Sequence, residues 1–162
     1  MDVHANIFSG LPAREGHFRL ESGYHTDLWL TLDALFVRPR EMAPLISALA
    51  ARLRPYGVSA ICGSLLGGAF LAQALAMELG VEFYFSEPVT PSGAPAMFGA
   101  EYRLPAVLQQ RVRGQRVALV DDVISAGSSV RATAAALTAA GASIAVVGAL
   151  YVLGRIGPRS LC

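Results

Sequence analysis

The sequence predicts an α/β fold in which helices flank a parallel central sheet, and three observations support this prediction. Short apolar segments alternate with helical segments of about a dozen residues, which is the pattern of right-handed βαβ units. The short segments are apolar without interruption, as strands are when helices cover both faces of a sheet. The chain has 162 residues, a length that suits one domain with its own core.

The elements follow from apolar periodicity and from the residues that start and stop helices. The second predicted helix stops at Gly80, and the third begins at Ser128 and ends at Gly141. Helices are predicted over residues 40–54, 68–80 and 128–141. Strands are predicted over residues 58–63, 81–85, 115–120 and 143–153.

The remaining segments divide the single domain into two parts. Residues 1–38 contain alternating stretches and are expected to form a small hood of short strands that caps the sheet, whereas residues 39–155 form the core. Residues 86–104 hold three prolines and no clear period, so we expect a long loop, which could include a hairpin. The chain stops a few residues after a strand, and we expect it to be cut short at its C-terminus.

Composition excludes several classes of function. The formal net charge is +1, which does not suggest a nucleic-acid partner, because such a partner requires a clustered basic surface. Residues 58–77 and 132–154 lack charge, but glycine-containing turns interrupt both, so we expect no membrane span. Cys62 lies in an apolar run and is expected to be a buried thiol, and no signal peptide is visible. A cytoplasmic protein is expected.

The segment "VALVDDVISAGSS", residues 117–129, carries the chemistry. Asp121 and Asp122 end an apolar strand, where parallel sheets bind ligands. The small-residue turn behind them runs into a helix, whose free N–H groups and dipole form an anion cradle. Acids beside such a cradle suit a phosphate that carries a sugar, because carboxylates accept hydrogen bonds from its hydroxyls. A tight turn with solvated acids is the alternative. The chain has no lysine for a P-loop and no dinucleotide fingerprint.

This segment resembles the phosphoribosyl-diphosphate signature of the type I phosphoribosyltransferases, with Ala126 where threonine is common. Two further segments are similar to the orotate phosphoribosyltransferase branch of that family. They are "GHFRLESGYHTDLWL" (residues 16–30) and "ICGSLLGGAFLAQALA" (residues 61–76). The resemblance implies the family's fold, with a parallel sheet, flanking helices and an N-terminal hood.

The resemblance also implies an activity and its residues. The family transfers ribose 5-phosphate from phosphoribosyl diphosphate to a nucleobase, with Mg2+ bridging pyrophosphate and ribose hydroxyls. By position, Asp121 and Asp122 would hold the 2- and 3-hydroxyls, directly or through metal-bound water. A loop that often contains a non-proline cis bond would hold pyrophosphate. The implied 5-phosphate residues are Ser125, Ala126, Gly127, Ser128 and Ser129, and the pyrophosphate-loop residues are Ser64, Leu65, Leu66 and Gly67.

The sequence departs from the orotate branch in its cations. The loop over residues 86–104 has no lysine or histidine, and Arg103 is its only cation. Arg103 is the candidate for charge neutralisation in catalysis, with a solvated loop arginine as the alternative. His25 is either a contact of the base or diphosphate, or a hydrogen-bonded surface histidine.

Three functions therefore stay open. Orotate transfer, giving orotidine 5-phosphate in pyrimidine synthesis, is the leading hypothesis. The others are transfer to a different base and non-catalytic binding of phosphoribosyl diphosphate by a regulatory protein. By resemblance we expect a homodimer.

Overall fold

The computed structural model describes residues 13–19, 25–30, 36–89 and 101–152. Near the N-terminus, β1 (Ala13–Arg19) and β2 (His25–Leu30) form an antiparallel pair. The short N-terminal strands expected from the sequence are therefore present. That they cap the central sheet stays a prediction.

A five-stranded sheet forms the centre of the fold, with strand order β5-β4-β3-β6-β7. The four strands from β4 to β7 in this order are parallel, and only the edge strand β5 runs antiparallel to its neighbour. The predicted α/β class with a parallel central sheet is confirmed. After β2 come a 3-10 turn (Pro39–Met42), α1 (Ala43–Leu53), a 3-10 turn (Arg54–Tyr56), β3 (Ala60–Ser64), α2 (Gly67–Leu79), β4 (Glu82–Val89), β5 (Glu101–Arg103), α3 (Ala106–Arg111), β6 (Arg116–Ile124), α4 (Ser128–Ala139) and β7 (Ser143–Val152).

Helices cover both faces of this sheet, and each face has its own core. Ala118 and Val120 of β6 belong to the core that contains α1 and α2. Val117 and Leu119, which alternate with them, belong to the core that contains α4. Successive side chains of a strand point to opposite faces, so a strand buried on both faces must be apolar throughout. This burial explains the uninterrupted apolar segments of the sequence.

The segment predicted as a long loop is more ordered at both ends. Strand β4 continues to Val89, and its last residues pair with β5, so that Glu87 faces Arg103. The antiparallel pair agrees with the hairpin that the predicted loop could include, and residues 86–89 and 101–103 are strand rather than loop. The short helix α3 was not predicted. Residues 90–100 lie outside the described ranges.

Two smaller expectations concern burial and membranes. Cys62 is fully buried, as expected, and burial raises the pKa of its thiol to about 12. In the described part of the chain, no helix combines the length and the apolar character needed to cross a membrane.

Candidate sugar-phosphate site

Asp121 and Asp122 occupy the carboxyl end of β6, next to the carboxyl end of β3. The alternation along β6 sends the two side chains in different directions. Asp121 follows the residues that face α4, and Asp122 follows those that face α2. Asp121 is therefore directed toward the start of α4 and Asp122 toward the start of α2, and Oδ1 of Asp121 also lies close to Gly68 of α2.

Asp121 is a buried carboxylate held by hydrogen bonds from three directions. Only 5% of the residue is exposed. Ser129 donates to Oδ2 at 2.8 Å, while Ser64 and the backbone N–H of Asp122 donate to Oδ1 at 3.3 and 3.2 Å. Burial, and then the neighbouring charge of Asp122, raise the pKa of Asp121 to about 7, although the Ser129 bond acts in the opposite direction.

Asp122 packs against the first residue of α2. A Cβ atom on Gly67 would lie 2.0 Å from Oδ2 of Asp122, so no side chain fits at position 67 while the acid keeps its place. The other carboxylate oxygen, Oδ1, accepts a hydrogen bond from the N–H of Val123 at 2.9 Å. Asp122 is partly exposed, in contrast to Asp121. The positive end of the α2 dipole stabilises a carboxylate in this position.

The loop between β3 and α2 lies directly beside the acid pair. A Cβ on Gly68 would lie 2.7 Å from Oδ1 of Asp121, and one on Gly63 would overlap the carbonyl of Gly68. These glycines let the loop and the acids approach within contact distance. The peptide bond between Leu65 and Leu66 is cis, which confirms the expectation of a non-proline cis bond in this loop.

The turn between β6 and α4 has the form of an anion cradle. Gly127 has a φ of 71°, a left-handed conformation that glycine adopts without strain, and α4 begins at Ser128. The first N–H groups of a helix have no acceptor within it, so they are available to a phosphate. The residues of this turn, Ser125 to Ser129, are those that the sequence assigned to the 5-phosphate. Ser129 uses its hydroxyl to hold Asp121.

Sequence analysis missed Arg131 as a residue of this turn. Its guanidinium Nη1 donates to the carbonyl of Ala126 at 2.8 Å. The contact places a positive charge beside the proposed phosphate cradle. The sequence did contain a signal for this placement, because Arg131 lies about one turn into the helix that follows the signature.

Arg103 is placed away from this group. It lies on the edge strand β5, 65% of its side chain is exposed, and its Nε contacts Oε1 of Glu87 at 3.0 Å. Neighbouring strands are about 4.8 Å apart, so β5 lies roughly 10 Å from β3. The alternative placed Arg103 in a loop, and this placement is wrong because Arg103 lies on a strand. A catalytic role for Arg103 stays a prediction.

His25 forms a pair with another histidine on the N-terminal hairpin. Its Nδ1 lies 2.7 Å from Nε2 of His17, and both residues are exposed. A hydrogen-bonded surface histidine was one of the two alternatives, and this contact agrees with it. A role toward the base stays a prediction.

The acid pair suits Mg2+ as a shared ligand. In the described residues, no three or more His, Cys, Asp or Glu side chains cluster in a way that could hold a metal. Mg2+ commonly takes one or two carboxylates and completes its shell with water and substrate phosphates. Asp121 and Asp122, beside an anion cradle, fit that donor set.

Comparison with known proteins agrees with this geometry, although no family model matches the chain. The chain is 32% identical to an orotate phosphoribosyltransferase from Pelotomaculum thermopropionicum over 83% of its own length. It spans 66% of that relative, slightly less than two thirds.

Two solved structures share the fold. An adenine phosphoribosyltransferase from Saccharomyces cerevisiae has a TM-score of 0.74 at 20% identity, covering 98% of this chain and 93% of that one. An orotate phosphoribosyltransferase from Mycobacterium tuberculosis has a TM-score of 0.64 at 17% identity, covering 93% and 94%.

The fold and the site define a class of α/β proteins that place an acid pair and two glycine-containing loops at the carboxyl edge of a parallel sheet. Within that class, the chain has the fold of the phosphoribosyltransferases and is similar in sequence to orotate phosphoribosyltransferases.

Proposed function

We propose that this chain transfers ribose 5-phosphate from phosphoribosyl diphosphate to orotate, in a Mg2+-dependent reaction that gives orotidine 5-phosphate and pyrophosphate. One observation carries the proposal: Asp121 and Asp122 lie between the N-termini of α2 and α4, with the two small-residue loops beside them. Such an edge offers acceptors for sugar hydroxyls between two sets of donors for phosphate.

Each end of the substrate has a matching part of the site. The N–H groups of residues 125–129 and the hydroxyls of Ser125 and Ser128 hold the 5-phosphate, with the guanidinium of Arg131 adding positive charge. Asp122, the more exposed acid, accepts hydrogen bonds from the ribose hydroxyls. Asp121 is already bound by Ser64 and Ser129, so it supports the ribose site mainly from beneath. Residues 64–67 form the pyrophosphate loop, in which the N–H groups of Leu66 and Gly67 face the leaving group while that of Leu65 is bound to the carbonyl of Ser86.

The reaction separates charge, and these groups act on both charges. Breaking the bond to pyrophosphate leaves positive character on the sugar, which the acid pair stabilises. Negative charge grows on the leaving group, which faces the N-terminal end of α2. When bound, Mg2+ neutralises pyrophosphate oxygens and orients the ribose hydroxyls. Holding the two reactants in line supplies much of the remaining acceleration.

The choice of base is the open part of this proposal. The sequence relative from Pelotomaculum thermopropionicum supports orotate. The similar adenine phosphoribosyltransferase supports the alternative of another base, although a likeness at 20% identity concerns the fold alone. Non-catalytic binding by a regulatory protein is the third possibility, since the sequence lacks lysine. We further propose that the protein is a cytoplasmic homodimer.

One assay separates these functions. Purified protein is incubated with phosphoribosyl diphosphate, Mg2+ and either orotate or adenine, and ultraviolet absorbance of the base is followed while pyrophosphate release is measured. Release with orotate supports the proposal, and release with adenine alone supports the second function. Tight binding of phosphoribosyl diphosphate without release from either base supports the regulatory protein. Sedimentation of the same sample measures the oligomeric state.

A further inference from the structure

The described part of the chain concentrates its buried polar side chains in one place. Four polar or charged residues are buried there, three on the sheet near the end of β3 and one on α4: Ser64, Ser86, Asp121 and Thr133. Ser86 and Thr133 are completely buried, and neither belongs to the signature or to the pyrophosphate loop. Burying a hydroxyl is unfavourable unless it is hydrogen-bonded, so this concentration calls for a specific arrangement.

Three of these residues form a row across the sheet. Ser64 of β3 pairs with Ser86 of β4. On the other side of β3, Gly63 pairs with Val120, so Ser64 lies level with Asp121. The hydrogen bond from Ser64 to Asp121 agrees with this register.

Helix α4 presents a matching pair of hydroxyls to this row. Ser129 and Thr133 are four residues apart and therefore lie on the same face of the helix. Ser129 donates to Asp121 at 2.8 Å, and the hydroxyl oxygens of Thr133 and Ser86 are 2.7 Å apart. We call the five residues Ser64, Ser86, Asp121, Ser129 and Thr133 the polar layer.

The polar layer connects the two anion-binding loops. Ser64 is the first residue of the proposed pyrophosphate loop, and the carbonyl of Ser86 accepts a hydrogen bond from the N–H of Leu65 at 2.9 Å. Ser129 belongs to the proposed 5-phosphate turn. One connection therefore runs from Ser64 through Asp121 to Ser129, and a second runs from Leu65 through Ser86 to Thr133.

Below the polar layer, the same face of the sheet is mainly apolar, and the hydroxyl of Tyr84 is already bound to the carboxylate of Glu82. Tyr84, Cys62 and Leu119 form the next row of paired residues on the α4 side, and all three are buried. A shift of α4 along the sheet would place its hydroxyls against these side chains and leave them without partners. Hydrogen bonding therefore fixes the height of α4 relative to β3 and β4.

We propose that Ser86 and Thr133 are positioning residues, which hold the pyrophosphate loop at a fixed separation from the 5-phosphate turn. This inference rests on the proposed function, because it assigns those two loops to the two phosphate ends of one substrate. Phosphoribosyl diphosphate must occupy both loops at once, whereas ribose 5-phosphate occupies the turn alone. The separation of the loops therefore affects the first ligand and not the second.

The experiment compares these two ligands by calorimetry in Mg2+. The test variant is Thr133→Val, which removes the hydroxyl at nearly constant volume. We expect it to weaken binding of phosphoribosyl diphosphate about 3- to 10-fold, the effect of one hydrogen bond, with ribose 5-phosphate affinity within about twofold of the unsubstituted protein. Thr133→Ser should restore the affinity. Thr138→Val is the matched control, because Thr138 is exposed on the same helix and its hydroxyl donates to the carbonyl of Ala134 within that helix.

A double variant, Ser86→Ala with Thr133→Val, separates positioning from stability. It leaves no unpaired hydroxyl, so thermal unfolding should recover relative to Thr133→Val while affinity for phosphoribosyl diphosphate stays low. Unchanged affinity in Thr133→Val, or an equal loss for both ligands, would overturn the positioning role and leave the proposed function standing. Failure of the unsubstituted protein to bind either ligand would overturn both.

Discussion

Asp121 and Asp122 are neighbours in the chain, and both carboxylates lie against the start of α2. Asp121 also accepts a hydrogen bond from Ser129 in the first turn of α4, whereas Asp122 packs against Gly67, the first residue of α2. The adjacent pair therefore joins two helix N-termini at one edge of the sheet, and the consequences below follow from that arrangement.

The two acids should respond differently to loss of charge. Asp122→Asn is expected to weaken binding of phosphoribosyl diphosphate about 10- to 100-fold, the range for a hydrogen bond to a charged group. Asp121→Asn should have a smaller effect, because an amide oxygen still accepts from Ser129. Calorimetric titration of both variants measures this difference. A larger loss in Asp121→Asn would reverse the assignment of the ribose-facing acid.

Position 67 should tolerate no side chain. In Gly67→Ala, the new Cβ would lie 2.0 Å from Asp122, so either the acid or the loop must move. We expect a loss of about 1–3 kcal/mol in the free energy of unfolding, together with weakened ligand binding. Gly148→Ala is the control, since its nearest neighbour atom would be 3.6 Å from the Cβ. Equal behaviour of the two variants in urea unfolding would contradict the close approach.

The ligand-free protein should lose stability as pH rises through the range in which Asp121 titrates. The pKa of Asp121 is about 7 in the folded protein, against about 3.9 in an unfolded chain. Between these values the folded state binds more protons, so the free energy of unfolding falls with rising pH. The favourable contribution is complete below about pH 4 and lost above about pH 7.

Urea unfolding at several pH values across this window measures the effect. Asp121→Asn cannot titrate, so it should lack this component of the pH dependence. The difference in unfolding free energy between the two proteins should shift in favour of the variant as pH rises. Parallel pH profiles would show that the carboxyl of Asp121 does not titrate in this range.

Arg103 offers a test of the catalytic candidate in the hairpin. If Arg103 neutralises charge in the transition state, Arg103→Ala lowers kcat at least about tenfold, with a smaller change in affinity for phosphoribosyl diphosphate. Glu87→Gln is the control, because it removes only the ion pair that the structure shows, and an exposed pair contributes little to stability. Steady-state kinetics of both variants, compared by kcat, distinguishes a catalytic role for Arg103 from a surface role. Kinetics unchanged by Arg103→Ala would assign Arg103 a role at the surface alone.

Local sequence was sufficient for the parallel core and for the location of the site. The apolar segments predicted β3, β6 and β7, because strands buried on both faces admit few polar residues. The signature predicted the acids and the turn into α4, because strand ends and helix starts carry local signals. Segment boundaries were less accurate where 3-10 turns replaced helix ends, as at Pro39–Met42.

Features that depend on distant pairing were missed. The last residues of β4 looked like a loop because Glu87 and Pro88 have low strand propensity, and their partners in β5 follow more than a dozen residues later. The Ser86–Thr133 contact joins residues 47 positions apart, so it depends on strand register and helix height together. Neither quantity can be obtained from one segment of sequence.

The polar layer also divides the interior into two zones for protein engineering. Beneath it, residues such as Leu119 and Leu137 belong to the apolar core packed against α4, so repacking there should alter thermal stability while leaving ligand recognition in place. In the polar layer and in the loops above it, specific hydrogen bonds and close glycine contacts hold the residues in place. A mutant library designed to raise thermal stability should therefore randomise the lower zone and keep the upper zone constant.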